Sequence, residues 1–242
     1  MHCNFNLRGK ESDRDEAFTK ELCSRLSIVL SIVHFDTKTY ATQKGISIEM
    51  AARELRYAAF EEQRATIGAQ AIAVAHHRDD SAETLLLNLT RGTGIRGLRG
   101  IQPKNGYIIR PLLCVGRDEI LDYLKWRGES YVTDSTNLAS IYTRNKIRHS
   151  IIPALREAFP TLDDSFCRAE KLIRSDAEYL SSQAEKLLET SAENGGYSIE
   201  LLSAIKNDSE SKTVIRDLIE SYTRESGVRE LDRVIAKVVR KI

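Results

Sequence analysis

The run Ala71-Ile72-Ala73-Val74-Ala75 is wholly apolar, only five residues long, and followed at once by the polar stretch His76-His77-Arg78-Asp79-Asp80. So short an apolar run predicts a strand covered on both faces, as in a parallel sheet lying between layers of crossover helices. The flanking segments carry the alternation such a sheet needs. Glu11 to Leu26, with Ser12 as its N-cap and apolar Ala17, Phe18, Leu22 and Leu26, predicts an amphipathic helix. Ile28 to Phe35 predicts a strand. Ser47 precedes a run of helix formers from Ile48 to about Ile67, closed by Gly68, and a further helix spans Asp80 to Thr90. This rhythm predicts an α/β fold with a parallel sheet and right-handed crossovers. Ligands of such folds sit beyond the carboxyl ends of the strands, which places His76 to Asp80 where chemistry is done.

After Thr161 the character changes. Asp163 and Asp164 open a long helical pattern through Leu172, Ile173, Tyr179, Leu180, Ala184, Leu187 and Leu188 that meets no breaker before Gly195-Gly196. Lys212 to Tyr222 and Val228 to Ile242 continue in helical phase around Gly227. Two regions are therefore expected, an α/β part over residues 1–160 and a small all-helical part over 161–242. The last pattern is still in phase at Ile242, without a cap, and predicts that the natural protein continues.

The residues that carry chemistry fall into three clusters. In the first, Asp80, Glu83 and Thr84 share one helix face, since residues three and four apart are neighbours. A carboxylate pair at a strand-end cleft suits a Mg²⁺ ion, an ammonium group or a proton acceptor. Taken alone, complementing the helix dipole is the stronger reading of that pair. The second cluster, Arg91-Gly92-Thr93-Gly94-Ile95-Arg96-Gly97-Leu98, sets backbone amides beside cations as phosphate sites do. The third, Tyr142-Thr143-Arg144-Asn145-Lys146-Ile147-Arg148-His149, is a local basic patch after Asp134-Ser135-Thr136-Asn137, equally suited to nucleic-acid phosphates or to a solvated, salt-bridged helix face. Adjacent His76 and His77 point to opposite faces of a strand and do not serve one metal. One imidazole is expected in a core hydrogen bond and the other toward the cleft.

Composition enters mainly by exclusion. With 36 Lys and Arg against 35 Asp and Glu there is no global pull toward nucleic acid, so any such partner must be met by the local patch. Cys3, Cys23, Cys114 and Cys167 contain no Cys-x-x-Cys pair and predict reduced thiols rather than a zinc or iron–sulfur site. The apolar runs are far short of a membrane span, and the N-terminus lacks a signal peptide's apolar core, so a cytoplasmic location without membrane contact is expected.

Several stretches, in order and spacing, resemble the tRNA(Ile)-lysidine synthetase family. They are His2-Cys3-Asn4-Phe5-Asn6-Leu7-Arg8-Gly9 with Glu11-Ser12-Asp13, Glu49-Met50-Ala51-Ala52-Arg53-Glu54-Leu55-Arg56-Tyr57, His76 to Thr84, Arg91 to Leu98, Arg110-Pro111-Leu112-Leu113, and Arg144 to Pro153. The resemblance implies a parallel sheet of the adenine nucleotide alpha hydrolase-like, or N-type ATP pyrophosphatase, type, with a small helical domain after it. It also implies an activity. ATP adenylates the wobble cytidine of a CAU-anticodon tRNA(Ile) with release of pyrophosphate, and the side-chain amine of free L-lysine then displaces AMP. Such a reaction needs Mg²⁺ and cationic groups on the phosphates, and a lysine amine stripped of a proton it ordinarily holds to about pH 10.4.

Carried over residue by residue, the resemblance implies that Asp80 and Glu83 serve lysine recognition and amine activation, with Asp80 also a Mg²⁺ ligand. Arg56 is implied at the phosphates or the adenylated cytidine, with Arg53 beside it. His2, Arg8, His77, Arg91, Gly92 and Gly94 are implied near the nucleotide or reacting centre, and Arg144, Asn145, Arg148 and His149 in tRNA contact or bracing of the site. The state of association is left open, a homodimer included. One departure stands out. The family's Ser-Gly-Gly-x-Asp-Ser phosphate loop, with the central strand it ends, occurs nowhere in the sequence. The expectation is therefore a chain that binds ATP poorly, folds badly and does not complete the reaction alone. Rival readings are a tRNA-binding remnant of the same family and a related ATP pyrophosphatase acting on tRNA. A 2-thiolation enzyme is disfavoured by the missing cysteine pair, and GMP or NAD synthetases by the combination of motifs.

Overall fold

The computed structural model describes residues 1–133, 143–193 and 196–197. Asp134 to Tyr142 and the two later helical patterns, Lys212 to Tyr222 and Val228 to Ile242, lie outside the described residues. Backbone contacts divide the chain into two units. The first is formed by Met1–Thr84 with Ile101–Pro153, the second by Leu85–Gly100 with Ala154–Ile242. No helix among the described residues is long and apolar enough to cross a membrane.

In the first unit, strand β1 (His2–Asn4) leads into helix α1 (Lys10–Arg25) and then strand β2 (Ile32–His34). The two strands are parallel, with Cys3 opposite Val33 and Asn4 opposite His34. The helix begins at Lys10, with Gly9 rather than Ser12 at its N-cap; Ser12 is buried in the first turn and accepts from the Arg8 amide. The second strand is shorter than its sequence predicts, and the cause is the end of α1. Ser27 adopts a left-handed φ of 55°, its N–H bonds the Ser24 carbonyl, and the Ile28 N–H reaches back to Cys23. That is the two-bond helix stop that satisfies the last carbonyls. It claims Ile28 for the helix end, and leaves Ile28 and Val29 exposed.

Helix α2 (Thr37–Lys44) follows, an element the hydrophobic pattern does not announce. Its signals are punctuation. Asp36 accepts from the Thr39 amide at the start, and Gly45 with φ 65° closes the end. Helix α3 (Ile48–Thr66) matches its expectation closely, and Ser47 accepts from the Met50 amide at 3.2 Å as an N-cap should.

Strand β3 (Ile72–Ala73) pairs in parallel with β5 (Ile108–Ile109), and β5 pairs antiparallel with β4 (Lys104–Asn105). Ile72 and Val74 are half-buried whereas Ala71, Ala73 and Ala75 are exposed. The strand thus shows the two-residue alternation of a pleat and is not covered on both faces as expected. Among the described residues, β1–β2 and β3–β5–β4 are separate sheets. Helix α4 (Arg78–Thr90) leaves the end of β3, and α5 (Arg117–Arg127) follows a 3₁₀ turn over Pro111–Cys114.

The segment after residue 142 forms α6 (Thr143–Lys146), a π turn (Ile147–Ile151) and α7 (Ile152–Ala158). The π turn has a local cause. Pro153 has no N–H to give and its ring crowds the carbonyl four residues back, so the coil widens and the Ile152 N–H reaches Ile147 instead.

In the second unit, the loop after α4 turns on Gly92 (φ 69°) and enters a 3₁₀ turn at Gly97–Arg99. Gly97 packs so closely on Thr93 that a β-carbon there would overlap the threonine side chain. Helix α8 (Leu162–Ser191) fills the span its pattern predicted, and Arg96 Nη2 donates to its Ser181 at 3.3 Å.

Candidate functional site

Asp80 and Glu83 lie one turn apart near the start of α4, just past the carboxyl end of β3. Asp80 Oδ2 accepts from the His77 amide at 3.0 Å, so this carboxylate caps the helix. The same oxygen lies 3.4 Å from His77 Nε2, and Asp79 lies 3.5 Å from His77 Nδ1. Asp79 also accepts from the Arg117 amide at 2.8 Å, tying α5 to the start of α4.

Facing the acids are Arg144 and Arg148, four apart across the α6–π junction and thus on one side of the coil. Arg148 donates Nε to Glu83 Oε1 at 2.5 Å and Nη2 to Oε2 at 2.9 Å, a fork-to-carboxylate pair. Its Nη2 also lies 3.1 Å from Asp80 Oδ1. Arg144 donates Nε to Glu83 Oε2 at 2.9 Å and stands 3.5 Å from Asp80. Exposure sorts the four: the side chain is 1% accessible in Glu83, 13% in Asp80, 21% in Arg148 and 41% in Arg144. Two carboxylates thus balance two guanidiniums, and Arg144 is the member that solvent reaches most. Burial alone would favour loss of the Arg148 proton, but the Glu83 hydrogen bond and the charges of Glu83, Asp80 and Asp79 outweigh it and raise its pKa.

Helix α3 contributes Arg53 and Arg56. The Arg56 guanidinium lies 5.0 Å from the centre of the Phe5 ring, at the end of β1, and Arg53 lies 5.0 Å from the Tyr57 ring. His76 feels Asp80 together with Arg110, Arg144 and Arg53, and burial leads these influences in lowering its pKa. Arg53, Asp80 and Arg144, far apart in sequence, therefore act on one imidazole.

His2 sits on β1 with Nδ1 3.4 Å from Thr19 Oγ1, and burial lowers its pKa against the pull of Glu16 and Asp15. Arg8 is engaged with α1, donating to Asp15 at 2.8 Å. Asn145 is half-buried in α6 and His149 is exposed in the π turn. Arg91, Gly92 and Gly94 lie exposed in the turn after α4, within the second unit. The structure thus brings Asp80, Glu83, His77, Arg144 and Arg148 into one cluster with Arg53 in electrostatic range. His2 and Arg8 are held by the residues of α1.

The cluster does not fit a Mg²⁺ ion on Asp80. The Asp80 oxygens face the His77 amide and guanidiniums, and among the described residues no three His, Cys, Asp or Glu side chains form a cation-holding group. Sequence reasoning named Arg110 within a resembling stretch but gave it no role in the site. Its signal was its place, directly after β5 and before Pro111, at the same sheet end as His76.

The PP-loop domain family pattern matches residues 1–155, and that of the Lon protease AAA+ ATPase lid domain matches 207–242, outside the described residues. Among curated proteins, a tRNA(Ile)-lysidine synthase of Parabacteroides distasonis is 55% identical over 181 residues, covering 74% of this chain and 41% of that protein. Its counterpart in Bacteroides thetaiotaomicron is 58% identical over 164 residues, covering 68% and 38%. The one in Porphyromonas gingivalis is 44% identical over 222 residues, covering 91% and 48%. The chain thus spans less than half the length of each of these relatives. Among solved structures, the U34-tRNA thiolase NcsA from Methanococcus maripaludis with its [4Fe-4S] cluster is similar in fold. Its TM-score is 0.55 at 19% identity, over 71% of this chain and 61% of that one.

Proposed function

Because the chain belongs to the PP-loop domain family and is similar to tRNA(Ile)-lysidine synthases, we propose that it serves the ATP-dependent joining of L-lysine to the wobble cytidine of a CAU-anticodon tRNA(Ile). In chemical terms this is a carbon–nitrogen ligation. Oxygen O2 of the cytosine attacks the α-phosphorus of ATP and pyrophosphate leaves; the lysine amine then attacks C2 and AMP leaves. The observation that carries the reading is the pairing of Asp80 and Glu83 with Arg144 and Arg148 at the carboxyl end of β3.

In this reading the two acids have different duties. Glu83 is buried and gripped on both oxygens, so it holds the 143–151 coil in place. Asp80, less tightly held, is the carboxylate that meets the lysine ammonium and accepts its proton before attack. Arg144 turns outward to a tRNA phosphate, a move its exposure permits, with Asn145 and His149 beside it. Arg53 and Arg56 approach the ATP phosphates or the adenylated base, and His2, Arg8 and His77 border the nucleotide. The sequence holds no Ser-Gly-Gly-x-Asp-Ser run, so these 242 residues by themselves supply the acceptor side of the reaction and turn over little ATP. Mg²⁺ is not placed on Asp80, whose oxygens are taken by the His77 amide and the guanidiniums, and no step is assigned to it.

The test is to incubate the chain with ATP, labelled lysine and tRNA(Ile) transcripts bearing a CAU or a GAU anticodon. Salt-sensitive retention of the CAU transcript over the GAU transcript, without label entering the RNA, is the expected result. Label in the CAU transcript would support the ligation and overturn the expected inactivity. Equal binding of both transcripts with no label would overturn the proposal.

A further inference from the structure

Strands β3 and β5 run parallel with Ala73 opposite Ile109, and the Val74 N–H donates to the Ile109 carbonyl at 2.9 Å. His76 and Arg110 therefore leave the sheet at the same end. Arg110 is anchored at three points. Its amide donates to the Pro103 carbonyl at 2.9 Å, Nη1 to the Gln102 carbonyl at 2.6 Å, and Nε to His76 Nδ1 at 3.3 Å.

The last contact dictates a tautomer. A guanidinium carries only donors, so His76 Nδ1 must offer its lone pair, and the proton of the neutral ring is left on Nε2. Among the described residues Nε2 meets no hydrogen-bond partner. The charges that act on this ring are Asp80, from α4, and Arg110, Arg144 and Arg53, from the end of β5, the 143–151 coil and α3. Arg144 is matched by Glu83 and Asp80, which leaves Arg110 and Arg53 as the cations that favour a negatively charged ligand here, and burial first, then the cations, lowers the pKa of the ring.

We propose that His76 is a locked hydrogen-bond donor, presenting Nε2–H to an anionic phosphoryl oxygen, and that Arg110 is the positioning residue that fixes its tautomer. Only the identity of that oxygen, on ATP or the adenylated base, rests on the ligation reading above. It follows that His76 is not the base that deprotonates the amine, because its lone pair is committed to Arg110. A preorganised donor of this kind strengthens its hold as charge gathers on the oxygen and needs no proton transfer.

The test is ¹⁵N NMR of the histidine-labelled chain, wild type and Arg110→Met, with inorganic pyrophosphate as the probe. At neutral pH the wild-type ring is expected in the Nε2–H form alone, and pyrophosphate shifts its Nε2–H signal. In Arg110→Met both tautomers are populated. Arg110→Lys keeps the charge and the backbone bond to Pro103 but cannot reach the Gln102 carbonyl and His76 Nδ1 together, and gives the same loss of the lock in a folded chain. His76→Leu is expected to weaken pyrophosphate binding roughly 10- to 100-fold, whereas His76→Gln, which carries an amide N–H, recovers most of it. A wild-type ring protonated on Nδ1 or charged, an unaltered tautomer in both Arg110 variants, or a Nε2–H signal unmoved by pyrophosphate would each overturn the proposal. If these results hold while the two transcripts bind equally, the ligation reading fails and the donor role stands. If the CAU transcript is selected while the ring carries its proton on Nδ1, only the donor role fails.

Discussion

Glu83 on α4 and Arg148 in the π turn are joined by two parallel hydrogen bonds, Nε to Oε1 at 2.5 Å and Nη2 to Oε2 at 2.9 Å, with 1% of the Glu83 side chain exposed. This pair decides where the basic segment lies relative to the end of β3. Two charges withdrawn from water are tolerated when each oxygen and each N–H finds a partner, and Arg144 occupies the remaining acceptor capacity.

Glu83→Gln is therefore expected to destabilise the fold by about 3–5 kcal/mol, because it leaves Arg148 desolvated without its counter-charge. Arg144→Met is expected to cost at most about 1 kcal/mol, since that side chain is 41% exposed and its pairing is screened. Urea unfolding of both variants checks this contrast. Equal losses would show that the pair anchors nothing.

Stability is expected to fall in two stages as pH drops. Burial first, opposed by Glu16 and Asp15 at His2 and by Asp80 at His76 but aided at His76 by Arg110, Arg144 and Arg53, sets the pKa values of both below the ordinary 6.5. The folded chain then binds fewer protons than the unfolded one, and stability declines as pH falls from about 6.5 through the folded values. The second stage belongs to Glu16, whose pKa is lowered to about 2 by hydrogen bonds from Lys20, Asn4 and His34. Its contribution is whole above about pH 4.5 and disappears as pH falls toward 2. Asp15, Asp36, Glu61 and Glu129, whose pKa values are also lowered, add to the acid stage, so thermal midpoints across this range are expected to show Glu16→Gln reducing that stage while leaving the histidine stage unchanged.

The start of α3 rests on Ser47, so Ser47→Ala is expected to cost about 1 kcal/mol, and Ser47→Asp to restore most of it. The helix carries Arg53 and Arg56, and fraying from its first turn is expected to weaken pyrophosphate binding as well. Denaturant midpoints and binding isotherms on the same samples separate the two effects.

If Arg144 reaches a tRNA phosphate, Arg144→Gln weakens binding of every transcript alike and reduces the slope of log affinity against log salt by about one. Titration at several salt concentrations reads this directly. An unchanged slope would leave Arg144 as a structural partner of Glu83 only.

The helices with strong local signals were legible in the sequence. Ser47 and Gly68 bracket α3, and the helical pattern opening at Asp163 becomes α8 (Leu162–Ser191), because caps and periodicity act within a few residues. The start of β2 was not legible, since the αL turn at Ser27 consumes Ile28, and nothing in the composition of Ile28–Phe35 announces it. Helix α2 escaped because only Asp36 and Gly45 mark it, with no apolar stripe between them.

The sequence by itself determined the α/β alternation, the strand-end position of Asp80 and Glu83, and the basic character of Arg144 to His149. Each of these follows from periodicity or chain order, which local sterics and burial impose. Only the tertiary structure decided that Glu83 is spent on Arg148 while Asp80 is more open, and that Arg110 commits one nitrogen of His76. Those choices depend on helices and strands more than 30 residues apart meeting at one sheet end, where desolvation and charge pairing are settled together.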